Sequence, residues 1–302
     1  MTPVSQWDGS ASANAVVARP RLRRTDRLIL GSFDGGAHAL QQQARIVLLG
    51  SGLLMLPMMA LNLLFSVLAF TSFSSFDNLL ADRGYLGVER GSVFVAIVVQ
   101  SFTAHLIGAY SAAFLVRFQL GEQPTMGQCL GAVVRRLPML LLTWMLTHWW
   151  AFLIALAVIN APSAFVGLLL YVVPVAAMFS AMVALVAPVL MTEHSGVRCI
   201  PRAIRLTRTR FGAVYGFVLT CGLISGSLFV FIADLPSLLE QTQLVTFGSY
   251  GYLVQGVTLQ LALLVAVPLS ALATAQLYLQ LRVHAEGIDL SLAAREAFGG
   301  RS

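Results

Sequence analysis

The sequence predicts an all-α polytopic membrane protein, with six transmembrane helices and amphipathic cytoplasmic helices at the interface. Three observations lead there. Hydrophobic residues make up 58% of the 302-residue chain and charged residues only 11%, where a soluble globular chain carries about 45–50% and about 25%. Six apolar stretches reach the roughly 20 residues that a helix needs to cross a bilayer. The arginines are divided very unequally among the segments between those stretches. So little charge cannot coat a soluble domain of this size, which excludes a cytosolic enzyme. A secreted disulfide scaffold is excluded too.

Residues 1–46 form a cytoplasmic tail. Positions 15–18 are too short for the apolar core of a signal peptide, and Arg19, Arg21, Arg23, Arg24 and Arg27 follow them, so the first span reads as an uncleaved anchor. Residues 1–18, rich in Ala and Ser, read as disordered. The membrane domain, 47–281, contains spans at about 47–70, 92–116, 138–159, 164–191, 211–232 and 253–281. None carries Asp, Glu, Lys or Arg away from its ends, so each can satisfy its backbone as a helix in lipid. The first contains Pro57. The fourth (Pro174, Pro188) and sixth (Pro268) are long, and tilt or a proline kink accommodates the excess. Residues 282–302 form a second cytoplasmic tail. A weak threefold repeat is visible, in which helical segments beginning at Phe33, Met126 and Val197 each run into an odd-numbered span, giving three units of interfacial helix plus two-span hairpin.

Orientation follows from the arginines. With the N-terminus inside, the four inner segments hold 6, 3, 5 and 3 arginines and the outer ones hold only Arg83 and Arg90. Basic residues are retained on the cytoplasmic side, so both termini are cytoplasmic and the protein sits in the cell (inner or plasma) membrane. Every basic residue is arginine, a bias of GC-rich genomes. Cys129 and Cys199 fall in inner loops and Cys221 inside the fifth span, so no disulfide framework is expected.

Three segments carry a family likeness. They are Ala187-Pro-Val-Leu, Ile200-Pro-Arg-Ala-Ile-Arg-Leu-Thr-Arg-Thr-Arg-Phe, and Leu277-Tyr-Leu-Gln-Leu-Arg-Val-His-Ala-Glu-Gly-Ile-Asp-Leu. Together they resemble actinobacterial, mycobacterial-like uncharacterised multi-pass membrane proteins, similar to the membrane-domain family named after glycerophosphoryl diester phosphodiesterase. The chain keeps Arg205, Arg208, Arg210, Phe211, Tyr278, Leu281, Arg282, Glu286, Gly287 and Asp289 of that pattern. It departs from it at Gln280, where an acidic residue is usual, and at His284, where arginine is usual. The resemblance implies a membrane domain without catalysis, because the acidic metal ligands of the phosphodiesterase barrel have no counterpart here.

No catalytic or cofactor signature stands out: no phosphate-binding glycine loop, no H-E-x-x-H and no paired cysteines. No cofactor, metal or nucleic acid is expected. The outer carboxylates Asp77, Asp82, Glu89, Asp234 and Glu240 read as a solvated face. His105 and His148 are sharper candidates, lying 13 and 11 residues from the outer ends of their spans and thus, at about 1.5 Å per residue, at similar depth. Ionisable groups at mid-membrane default to a functional hypothesis. The bland alternative is two neutral imidazoles bonded to carbonyls or to Gln100, Thr147 or Gln260, and metal ligation would want a third ligand. Gly212, Gly216, Gly222 and Gly226 form two G-x-x-x-G patterns that suit helix packing within the chain, or a homodimer or partner face. Trp144, Trp149 and Trp150 read as packing or interfacial anchors. In 198–210, Arg198, Arg202 and Arg205 recur at helical spacing, with Arg208 and Arg210 following, beside Ile200, Ala203, Ile204 and Leu206. That row reads as a contact with the anionic inner leaflet; the bland alternative is a topology signal alone. The function expected is non-enzymatic, a scaffold or assembly component of envelope biology. The alternative is a transporter or channel for a small or lipidic substrate through the six-helix core.

Overall fold

The computed structural model describes residues 27–69, 87–160, 162–193, 195–233 and 235–287. Among them the chain is almost wholly helical and contains no strand. The helices are α1 (Leu28–Ala69), α2 (Gly87–Gln119), α3 (Met126–Arg135), α4 (Leu137–Thr147), α5 (Trp149–Asn160), α6 (Pro162–Val183), α7 (Val186–Glu193), α8 (Cys199–Thr209), α9 (Phe211–Ala233), α10 (Leu235–Gln241) and α11 (Gly251–Glu286). Five are long and apolar enough to cross a membrane, in α1, α2, the α6–α7 segment, α9 and α11. A sixth arises if α3 and α4, bent by 65°, count as one broken span. The protein is a multi-pass helical membrane protein by this measure. The expected tail at 1–18, the loop carrying Asp77 and Asp82, Asp234 and the tail beyond 287 lie outside the described residues.

The long helices pack α11 against α1, α2 and α9, with α2 also against α1 and α7. Among the described residues, Tyr110, Phe114, Leu140, Leu185, Leu190, Leu206, Phe217 and Tyr278 belong to one buried cluster, and Met55, Met58, Ile107 and Leu263 form a second. Side chains such as Leu223, Val230, Phe231, Val173 and Leu153 are exposed. An apolar surface of this extent suits lipid and not water.

The segment predicted as a helix at 33–45 is set off from the first span by a break at Gln43, and it packs along α11. A side chain at Gly36 would meet the Ala273 backbone nitrogen at 2.8 Å, and one at Gly35 would meet the Gln276 side chain at 2.7 Å. Small residues let two backbones come this close, and the segment is held in the bundle by that contact. The break in α1 falls at Gln43 (φ −132°, ψ 35°) and the helix runs on through Pro57.

The predicted third span, 138–159, is interrupted at His148 (φ −111°, ψ 17°), which separates α4 from α5. The predicted fourth span is interrupted at 184–185, before α7. Pro188 accounts for the second break: it lacks the N–H that would reach the carbonyl of residue 184, and its ring clashes with that carbonyl. The last helix continues to Glu286, past the predicted boundary at 281, and stops where Gly287 takes the left-handed conformation (φ 60°) and donates to the Val283 carbonyl. Glycine adopts this without a Cβ penalty.

Candidate functional site

The arginine row predicted for 198–210 lies mostly on α8, and the structure divides it by partner. The inner face of α8 carries Cys199, Ala203, Leu206 and Thr207, all buried, and the first three belong to the main core cluster. Thr207 Oγ1 donates to the Ala181 carbonyl at 3.4 Å. The apolar face therefore docks on the protein itself. Arg198, Arg205 and Arg208 are exposed along the opposite side, and Arg210, just past the helix, is exposed as well.

Arg202 differs from the others. Its Nε donates to Glu193 Oε2 at 2.9 Å and its Nη2 to Glu193 Oε1 at 3.3 Å, a two-pronged pairing that suits the planar guanidinium. Nη2 also bonds Glu286 Oε1. Arg282 Nε donates to Glu286 Oε2 at 3.1 Å and lies 3.6 Å from Glu193 Oε1. Tyr278 joins them: its hydroxyl donates to Glu193 Oε1 at 3.1 Å, accepts from Arg282 Nη1 at 3.1 Å, and lies 2.6 Å from Thr192 Oγ1. Two arginines face two carboxylates, so the cluster is neutral; Glu193 and Arg202 are half-buried and Glu286 stands at its exposed edge. The hydrogen bonds that Arg202 donates to Glu193 raise its pKa above the ordinary value, outweighing the cost of burial. We call this cluster the clasp, because it ties the end of α7 and the start of α8 to the end of α11. Sequence reasoning assigned Arg202 to lipid and missed the clasp. Its signal was faint: Glu286 lies one turn after Arg282, but nothing in the spacing pairs either with Arg202.

Tyr278, Arg282 and Glu286 build the clasp from the end of α11, and Gly287 ends its helix. Leu281 is buried in the core and Asp289 lies outside the described residues. Gln280 is buried, a place where a neutral amide is cheaper than a carboxylate would be.

The two histidines do meet. The His105 and His148 rings stand nearly perpendicular (75°) with centroids 5.3 Å apart. His148 Nδ1 shares a 2.9 Å hydrogen bond with Thr147 Oγ1, and His105 Nε2 lies 3.5 Å from Thr143 Oγ1. The imidazoles bond to these threonines and not to Gln100, which is half-buried, or Gln260, which is buried on α11. Trp144 and Trp150 stack beside His148, Phe102 and Phe152 meet Trp144 edge-on, and Trp144 Nε1 donates to Ser101 Oγ at 3.1 Å. Trp149 is exposed and touches Phe179. Among the described residues no group of three or more His, Cys, Asp or Glu converges as a metal site would.

Of the four glycines on α9, Gly216 alone meets a neighbour, with an added Cβ 3.3 Å from Ile29 Cδ1. Gly212, Gly222 and Gly226 face open space. The close helix approaches lie elsewhere, at Gly35, Gly36 and Gly50. A Cβ at Gly50 would overlap the Tyr110 ring, whose hydroxyl donates to the Ile46 carbonyl at 2.8 Å. Comparison with protein-family models, curated proteins and solved structures gives no match.

Proposed function

We propose that this chain is a non-enzymatic six-span protein of the cell membrane, with both termini cytoplasmic. It serves as a scaffold or assembly component in envelope biology and engages the anionic inner leaflet through its arginine-rich end. The observation that carries this reading is the division of labour on α8. The helix is locked to the bundle by Arg202 and by its buried face, and Arg205 and Arg208 project outward with Arg198 and Arg210 nearby. Charges used only to retain a loop on one side need no such rigid presentation. Each arginine near an anionic surface contributes about 1 kcal/mol.

The test uses the purified full chain and measures its preference for phosphatidylglycerol over phosphatidylcholine by lipid competition in mixed micelles. The wild-type chain prefers the anionic lipid, and replacing Arg205, Arg208 and Arg210 together with Gln removes most of that preference. Equal association with both lipids would leave these arginines as topology signals alone. The histidine contact supports a second reading, a transporter or channel whose polar step is His105–His148. In that reading the chain in liposomes carries a proton flux, seen with an entrapped pH dye, which His105→Asn or His148→Gln abolishes. Absence of flux in the wild-type chain removes the reading.

A further inference from the structure

A cavity of about 540 Å³ opens at the arginine-rich end, between the last turn of α2, the α3–α4 bend and the end of α7. It is lined by Arg117, Arg135 and Arg136, by Met191 and Thr192, and by the small apolar side chains of Val116 and its neighbours. Its size lies within the roughly 300–1,000 Å³ of ordinary ligand sites. Among the described residues, no carboxylate lines it. The acceptors that its arginines meet are neutral: Arg117 Nη1 donates to Gln128 Oε1 at 3.4 Å, Arg135 Nε to the Gly131 carbonyl at 3.1 Å, and Arg136 Nη1 to the Leu190 carbonyl. The carboxylates Glu193 and Glu286 pair with Arg202 and Arg282 in the clasp instead. The two clusters are neighbours, since Thr192 both lines the cavity and touches Tyr278 of the clasp.

The contrast is informative. In the clasp, two carboxylates neutralise two arginines. Around the cavity, three guanidiniums line one space with no carboxylate among its described lining residues, Arg117 and Arg136 half-buried and Arg135 exposed at the rim, and like charges gathered there repel one another. Such an arrangement is stabilised by an anion in the middle. Guanidiniums have the flat, forked donor geometry that binds phosphate oxygens two at a time, and each of the three has donors beyond the one bond named above. The sequence puts the site beside an apolar track as well: Val134, Leu137, Leu141 and Leu142 are exposed at the end of α3 and along α4. An acyl chain can lie there while a headgroup sits in the cavity.

We propose that this cavity is a binding site for a phosphate ester, the headgroup of an anionic lipid, held by Arg117, Arg135 and Arg136. It goes beyond the surface contact argued for α8, uses different residues, and gives one bound lipid per chain where an exposed row gives a diffuse preference.

Native mass spectrometry of the full chain in detergent, titrated separately with phosphatidylglycerol, phosphatidylcholine and inorganic phosphate, tests it. One phosphatidylglycerol is retained per chain, and phosphatidylcholine is not. Arg135 bonds only its own helix, so Arg135→Gln keeps the fold, checked by an unchanged melting temperature, and weakens that one lipid about tenfold. Arg135→Lys restores part of the affinity. Arg117→Gln gives the same loss, while the triple Gln variant at Arg205, Arg208 and Arg210 keeps the single tight lipid even if its general anionic preference falls. Binding of inorganic phosphate to the same arginines with no lipid retained would overturn the lipid source. A folded Arg135→Gln chain that holds the lipid as tightly as wild type would overturn the site.

Discussion

Arg202 and Arg205 are one helical turn apart and look interchangeable in the sequence, yet they answer to different physics. Removing Arg202 leaves the half-buried Glu193 and the more exposed Glu286 with only Arg282 between them. Arg202→Gln is therefore expected to cost about 1–3 kcal/mol of stability, read as a lower melting temperature in detergent, with little change in anionic-lipid preference. Arg205→Gln should do the reverse. If Arg202→Gln left the melting temperature unchanged, the clasp would not hold α8. The helical spacing of the row was legible because periodicity shows which residues share a face. The partner was not, because Glu193 comes from α7 and Glu286 from the far end of α11, 84 residues away in sequence from Arg202. The histidines were legible for the opposite reason: counting residues along two spans gives depth directly, and the rings meet at 5.3 Å.

Between helices, glycine pattern and glycine use separate. The G-x-x-x-G pattern points to α9, but the tight approaches are Gly36 against the Ala273 backbone and Gly50 against Tyr110. Gly36→Ala forces backbone apart and should destabilise by about 1–3 kcal/mol, as overpacking does. Gly222→Ala adds a methyl where nothing lies within 4 Å, and alanine is the better helix former, so it should be neutral or slightly stabilising. Thermal melts of the two variants decide it, and an equal loss in both would contradict the packing described. A pattern on one helix says that a close approach is possible; only the facing helix says where it happens. The proline break before α7 was legible in kind, because Pro188 disables the carbonyl four residues earlier. The break at His148 carried no such mark, since neither proline nor glycine stands there.

For the molecule as a whole, the sequence carried the essentials. Composition, span length and the absence of internal charge led to a helical multi-pass chain, and the described helices have that character. What it could not show was which side chains would build the main buried cluster among the described residues, around Phe114, Leu190 and Tyr278. That cluster is built by α7 and α8 folding back onto α2 and α11, contacts between segments far apart in the chain. It places the clasp, the exposed arginines and the basic cavity together at one end, so the account depends on which side of the membrane that end faces. Single-cysteine labelling in intact cells tests this most directly. Cys129 and Cys199 are fully buried and can stay, with Cys221→Ala as the background. A membrane-impermeant maleimide should label Gln241→Cys, between α9 and α11, and should not label Gln123→Cys, between α2 and α3, until the cells are opened. Labelling of Gln123→Cys from outside intact cells would put the arginine-rich end on the wrong face and contradict the account.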